Sequence, residues 1–116
     1  MSVMNSREAS LVIRRLVARL EKETEGLMLG FQLDSESISL RCIVLPSDGR
    51  SKGAGTQVMN EILSVFDENK WTLTLTPDAA YGGDVTRLVA FYERFGFVTN
   101  EINSSKDSMM RVSVYA

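Results

Sequence analysis

The residues from 37 to 76 leave few folds open, because they spell a strand, a helix and a second strand in unbroken order. Ile38 and Leu40 alternate with Ser37, Ser39 and Arg41, as in a strand with one wet face. Cys42-Ile43-Val44-Leu45 is then apolar on both sides, the pattern of a strand buried inside a sheet, and Pro46 halts it. After a loop over residues 47–55, Met59, Ile62, Leu63 and Phe66 recur at i, i+3, i+4 and i+7, one face of a helix. Residues 71–76 form a period-two strand, with Trp71, Leu73 and Leu75 on one face and three threonines on the other, ended by Pro77. Such a unit predicts a right-handed crossover between two parallel strands.

The flanking segments extend this core. Asn5 or Ser6 can cap a first helix, with Glu8 in its first turn and Ile13, Leu16, Val17 and Leu20 on one face. Gly26 is its expected stop. Residues 27–33 and 37–45 read as an antiparallel hairpin around Asp34-Ser35-Glu36. Turn residues fill 78–84, and Leu88, Phe91, Tyr92 and Phe95 then fall in helical register until Gly96. Residues 97–102 and 109–115 read as a closing hairpin around a polar loop over 103–108. The expectation is an α/β fold: a mixed, mostly antiparallel sheet of about five strands with three helices on both faces. The 116 residues suit a single domain.

Composition removes whole classes of chemistry. The chain has no histidine, and Cys42 is its sole cysteine. Internal disulfides, Cys/His zinc sites and Ser-His-Asp or Cys-His catalysis are therefore closed to it, and no metal site is expected. A net charge of −2, from 13 basic and 15 acidic side chains, gives no electrostatic footprint for nucleic acid. Arg7, Arg14, Arg15 and Arg19 interrupt every N-terminal apolar run, and no stretch approaches membrane-spanning length, so a cytoplasmic protein is expected.

The chemistry-bearing segment is the loop after the buried strand, which carries Arg50, Ser51, Lys52, Gly53, Ala54, Gly55 and Thr56. A helix that starts here leaves its first backbone N–H groups without internal partners, and its dipole adds partial positive charge. Gly53 and Gly55 permit close backbone approach, and Arg50 and Lys52 add full charges, which together suit a pyrophosphate. A Walker loop fails because Lys52 precedes the glycines, and a dinucleotide fingerprint fails because Val58 stands where a third glycine is needed. What remains is Arg-x-x-Gly-x-Gly over Arg50, Gly53 and Gly55. Alone, it is also compatible with a plain turn opening a helix.

One strand and one loop later comes Leu88-Val89-Ala90-Phe91-Tyr92-Glu93-Arg94-Phe95-Gly96-Phe97. With both segments in this order, residues 38–98 resemble the GNAT superfamily of acetyl-CoA-dependent N-acyltransferases. The family's Gln/Arg-x-x-Gly-x-Gly/Ala loop maps onto Arg50, Gly53 and Gly55, and its Phe-Tyr-x-x-x-Gly-Phe helix end onto Phe91, Tyr92, Gly96 and Phe97. Leu75-Thr76-Pro77, Tyr81-Gly82-Gly83-Asp84 and Arg87-Leu88 before Phe91-Tyr92 resemble in particular the short members from phages and prophages.

The resemblance implies transfer of an acetyl group from acetyl-CoA, as co-substrate, to a primary amine by direct attack. Ile43, Val44 and Leu45 would pair their backbone with the pantetheine arm, and an N–H near Val44 would stabilise the oxyanion. The amides of residues 52–56 would hold the pyrophosphate. Tyr92 would protonate the departing thiolate, a role that suits a phenol of ordinary pKa about 10. Its neighbours Phe91 and Phe95 read as core aromatics, and a core role is the plain alternative for Tyr92 too.

The chain also departs from the pattern. The strand over 38–45 offers no carboxylate base, so deprotonation of the amine falls to Asp34, Glu36, Asp48, Asp78 or Asp84. Each of these is also a natural turn or cap residue. The acceptor, a protein or a small molecule, is expected over Thr74 and Thr76, walled by Tyr81 and the 78–84 loop. A catalytically degenerate CoA-binding or protein-interaction module of the same fold is the alternative, as is a phage protein acting on a host protein target. A homodimer is compatible with so small a sheet; nucleic acid and membrane partners are not expected.

Overall fold

The computed structural model describes residues 6–34, 36–44, 53–77, 84–101 and 106–113. Their order is α1 (Ser6–Glu23), β1 (Met28–Leu33), β2 (Ile38–Val44), α2 (Ala54–Glu68), β3 (Leu73–Leu75), α3 (Val85–Glu93), β4 (Val98–Thr99) and β5 (Met109–Arg111). The five strands form one sheet in the order β1-β2-β3-β5-β4. Only β2 and β3 run parallel; the other three pairs are antiparallel. The expected mixed, mostly antiparallel α/β fold with three helices is what the chain adopts.

Helices α1 and α2 bury the face their periodicity marks, while in α3 and the turn after it Tyr92 is buried and Leu88, Phe91 and Phe95 are half-buried against the core. In α1, Ala9, Ile13, Leu16 and Leu20 are buried, while Arg14, Arg15 and Lys22 are exposed. Arg19 of α1 reaches Glu61 of α2 at 3.1 Å, but both side chains are about half exposed, so the pair aligns the helices without adding more than a fraction of a kcal/mol. In α2, Val58, Met59, Ile62, Leu63 and Phe66 are buried and join Ile38, Leu40, Leu73, Leu75 and Phe97 in one apolar core.

The strands are shorter than the sequence pattern predicts, for identifiable reasons. Trp71 belongs to the turn out of α2 rather than to β3. Its N–H donates to the Phe66 carbonyl at 2.8 Å, and its ring meets Phe66 edge-on at 5.4 Å. Lys70, at φ 60°, makes that turn. Phe97 likewise terminates α3 rather than opening β4, as described below.

One irregularity shapes β2. Gly30 faces Cys42, but Phe31 faces Leu40, so Arg41 is an extra residue bulged out of the ladder. The shift keeps Leu29, Phe31 and Leu33 on the same side as Ile43, Leu40 and Ile38.

Candidate active site

The site begins where β2 and β3 stop pairing. Their register is Ile38↔Leu73 and Ser39↔Thr74, after which β3 ends at Leu75 while β2 continues to Val44. Among the described residues, the β3-facing side of 40–44 therefore has no strand partner. Ile43 and Val44 lie in this unpaired stretch, both half-buried. A strand with free backbone groups along one edge is a template for another extended, amide-bearing chain.

The helix that follows β2 supplies the second part. In a right-handed crossover its N-terminus lies at the end of the sheet where β2 finishes. Gly53 precedes α2 with φ 89° and ψ −9°, the left-handed conformation that glycine adopts without penalty. Among the described residues, no side chain caps this start. The first internal bond there is Gln57 N–H to Gly53 carbonyl at 2.8 Å, so the amides of Ala54, Gly55 and Thr56 precede the first helical donor. Among the described residues, a Cβ built on Gly53 meets nothing within 4 Å. Uncapped amides and a helix dipole form an arrangement that accepts an anion. Leu45, Arg50, Ser51 and Lys52, also expected at this site, lie outside the described residues.

Tyr92 is placed by the end of its helix. The Gly96 N–H donates to the Glu93 carbonyl at 3.0 Å and the Phe97 N–H to the Tyr92 carbonyl at 3.3 Å, with Gly96 at φ 96°. This is a Schellman cap, and its accompanying apolar contact is the Tyr92–Phe97 ring pair, 5.5 Å apart. The Phe91 ring also meets Tyr92 edge-on, at 5.3 Å. The residue is 6% exposed. Burial pushes its phenol above the ordinary 10.0, so it stays protonated throughout the neutral range. No described residue makes a hydrogen bond to its hydroxyl.

The carboxylates considered as bases are scattered. Asp84 is the N-cap of α3, accepting from the Thr86 N–H at 2.8 Å. Asp34 and Glu36 sit in the β1–β2 turn, and Asp34 accepts from Gln32 at 3.2 Å. That turn is at the far end of β2, and seven residues of strand put roughly 20 Å between Glu36 and Ile43. Asp48, Asp78 and Tyr81 lie outside the described residues.

Of the two threonines expected at the cleft, Thr76 is exposed but Thr74 is not. Thr74 is wholly buried and its hydroxyl donates to Asp107 at 2.8 Å. Ser39 donates to the same oxygen, Oδ2, at 2.5 Å, and the exposed Thr76 donates to Oδ1 at 2.9 Å. Arg41, the bulged residue, brings Nη1 to 3.8 Å from Oδ1. Burial alone would push the Asp107 carboxyl up, but the three hydroxyl donors and the Arg41 charge outweigh it and hold it below 3.8. Asp107 is therefore a fixed anion and a poor proton acceptor. Sequence reasoning passed over it inside a polar loop. The signal was the hydroxyls themselves: Ser39 and Thr74 face the same side of two neighbouring strands, and buried hydroxyls demand an acceptor.

Comparisons agree with this architecture. No family model matches the sequence, and no curated protein matches it. Three solved structures do match in shape. The ribosomal-protein-S18-alanine N-acetyltransferase from Escherichia coli superposes with a TM-score of 0.56 at 18% identity, over 80% of this chain and 66% of its own. Ard1 from Thermoplasma volcanium gives 0.54 at 18% identity, over 87% and 80%. The anti-CRISPR protein AcrVA5 gives 0.53 at 17%, over 73% and 88%. No helix among the described residues is long and apolar enough to cross a membrane.

Proposed function

From a chain that has the fold of the GNAT acetyltransferases, we propose that it is an acyl-CoA-dependent N-acyltransferase moving an acetyl group from acetyl-CoA to a primary amine. The observation that carries this reading is the end of β2–β3 pairing at Ser39↔Thr74, which frees the edge of β2 beside an uncapped helix start. In this reading the backbone of Ile43, Val44 and Leu45 pairs with the pantetheine arm. The amides of Gly53, Ala54, Gly55 and Thr56, with Arg50, Ser51 and Lys52, hold the pyrophosphate.

The amine attacks the thioester carbonyl, and an N–H near Val44 takes the developing oxyanion. The C–S bond then breaks and Tyr92 gives its proton to the thiolate, a transfer its protonated state permits. Asp107 is no candidate for the base, since its proton affinity is below that of an ordinary carboxylate. Asp78 and Asp84 remain the candidates nearest in sequence to the acceptor side.

A second reading, binding of CoA or a protein without turnover, draws support from two points. Strand β2 itself carries no carboxylate, and one structural neighbour is an anti-CRISPR protein. A phage origin and a host protein target belong to this reading. The discriminating experiment incubates the protein with acetyl-CoA and a panel of amines and peptides and follows thiol release. Release that requires both an amine and Tyr92 supports the enzyme; CoA binding without release supports the module.

A further inference from the structure

The β2–β3 vertex carries more than strand pairing. Three hydroxyls, two from paired strands and one from just past the end of β3, converge on the carboxylate of Asp107, which comes from the segment leading into β5. Two of the donors, Ser39 and Thr74, form the last β2–β3 pair before the strands part. The third, Thr76, stands just past the end of β3 and also accepts the Ser108 N–H at 3.1 Å. The loop is held from its other side, where Asn100 Nδ2 donates to the Asp107 carbonyl at 2.8 Å and the Asn100 N–H to the Ser108 carbonyl at 3.0 Å. The guanidinium that approaches the carboxylate belongs to Arg41, the residue the bulge ejects from β2.

An ionised carboxylate only accepts, and it has room for about four donors. Bonds to a charged acceptor are short and directional, so a carboxylate shared by two strands fixes their spacing at that point. The backbone ladder supplies only two residue pairs there. We propose that Asp107 is a positioning residue, whose grip on Ser39, Thr74 and Thr76 sets the angle at which β2 and β3 part and thereby the width of the groove for the pantetheine arm. This rests on the acyltransferase reading and adds to it a residue that touches neither the cofactor nor the reacting atoms.

The test separates the two ends of CoA. Calorimetry on the full chain compares CoA with 3′-phosphoadenosine 5′-diphosphate, which keeps the phosphates and lacks the pantetheine arm. Asp107→Asn keeps the shape but turns one acceptor oxygen into a donor that faces the hydroxyls. It should weaken CoA by about tenfold or more, as loss of a pre-formed groove does, and leave the nucleotide within about twofold. Should Asp107→Asn fail to fold, Ser39→Ala and Thr76→Val each remove one donor, and the same split is expected in smaller measure. Equal loss of both probes, or CoA affinity like the parent's, overturns the proposal. A parent that binds neither probe removes the CoA site itself, and the proposal with it.

Discussion

Phe97 holds Tyr92 twice, by an N–H to the Tyr92 carbonyl at 3.3 Å and by a ring contact at 5.5 Å. Gly96 between them makes both possible, because only a left-handed residue turns the chain back over its own helix. The Phe-Tyr-x-x-x-Gly-Phe wording is thus a capping device that fixes the Tyr92 ring against Phe97. Gly96→Ala should cost about 1–2 kcal/mol through its φ. A Cβ there finds its nearest neighbour, Arg111 Nε, only at 3.7 Å, so conformation rather than collision sets the loss. Chemical denaturation measures it; a loss above about 4 kcal/mol would mean the helix end had rearranged.

Tyr92→Phe tests the hydroxyl by itself. The rings of Phe91 and Phe97 keep their partner, and no described residue loses a hydrogen bond, so stability should change by less than about 1 kcal/mol. Turnover on an identified amine should fall about 10²- to 10⁴-fold, the usual cost of removing a general acid. An unchanged rate assigns the residue to packing alone.

Gly53 separates conformation from ligand contact. Because no described residue lies within 4 Å of a Cβ there, Gly53→Ala should lower stability by about 1–2 kcal/mol through its φ of 89°. Gly53→Glu adds a side chain and a negative charge where the pyrophosphate is proposed to sit, and CoA binding should be lost beyond detection by calorimetry. Normal binding by a folded Gly53→Glu protein would move the phosphates elsewhere.

Arg111 of β5 closes the opposite side of the core. It gives Asp67 a two-pronged bond, at 2.7 and 3.0 Å, and donates Nε to the Phe95 carbonyl at 2.8 Å. Both partners are about nine-tenths buried. Arg111→Met takes the guanidinium away from the buried Asp67 carboxylate and should cost about 3–5 kcal/mol, while replacing both partners with apolar residues should cost distinctly less. A double-mutant cycle by thermal melting gives the coupling directly; additive losses would show that the pair is not a unit.

Asp107 contributes to the acid limb of stability. Its carboxyl is held below 3.8 in the folded state, so the unfolded chain takes up that proton first as pH falls. The contribution is complete above roughly pH 5 and is lost as pH drops through the ordinary value toward the folded one. Urea midpoints between pH 3 and 7 should therefore fall less steeply for Asp107→Asn than for the parent. Parallel curves would show that the carboxylate gains nothing from its hydroxyl donors.

Much of this was legible in the residues. The crossover, the three amphipathic helices and the termination at Gly96 rest on local periodicity and on glycine chemistry, both of which a single segment displays. What escaped was non-local. Asp107 meets Ser39, Thr74 and Thr76 at separations of 68, 33 and 31 positions, and no window of sequence contains them together. The bulge at Arg41 was invisible because apolar residues occupy both faces from Cys42 onward, so the pattern carries no register. Trp71 read as strand because its alternation with Leu73 and Leu75 is real, but its packing on Phe66 keeps it in the turn.

The placing of β5 has a consequence for how the chain assembles. It is last in order yet interior in the sheet, lying between β3 and β4. During synthesis β1, β2, α2 and β3 can gather as soon as they emerge, but one side of β3 stays without its neighbour until residues 109–111 arrive. At about 5–20 residues per second, the 33 residues between Leu75 and Met109 correspond to a few seconds on the ribosome with an unzipped edge at the centre of the future sheet. Completion is an insertion rather than an addition, and a nascent chain stalled short of Met109 presents that edge to any other strand nearby.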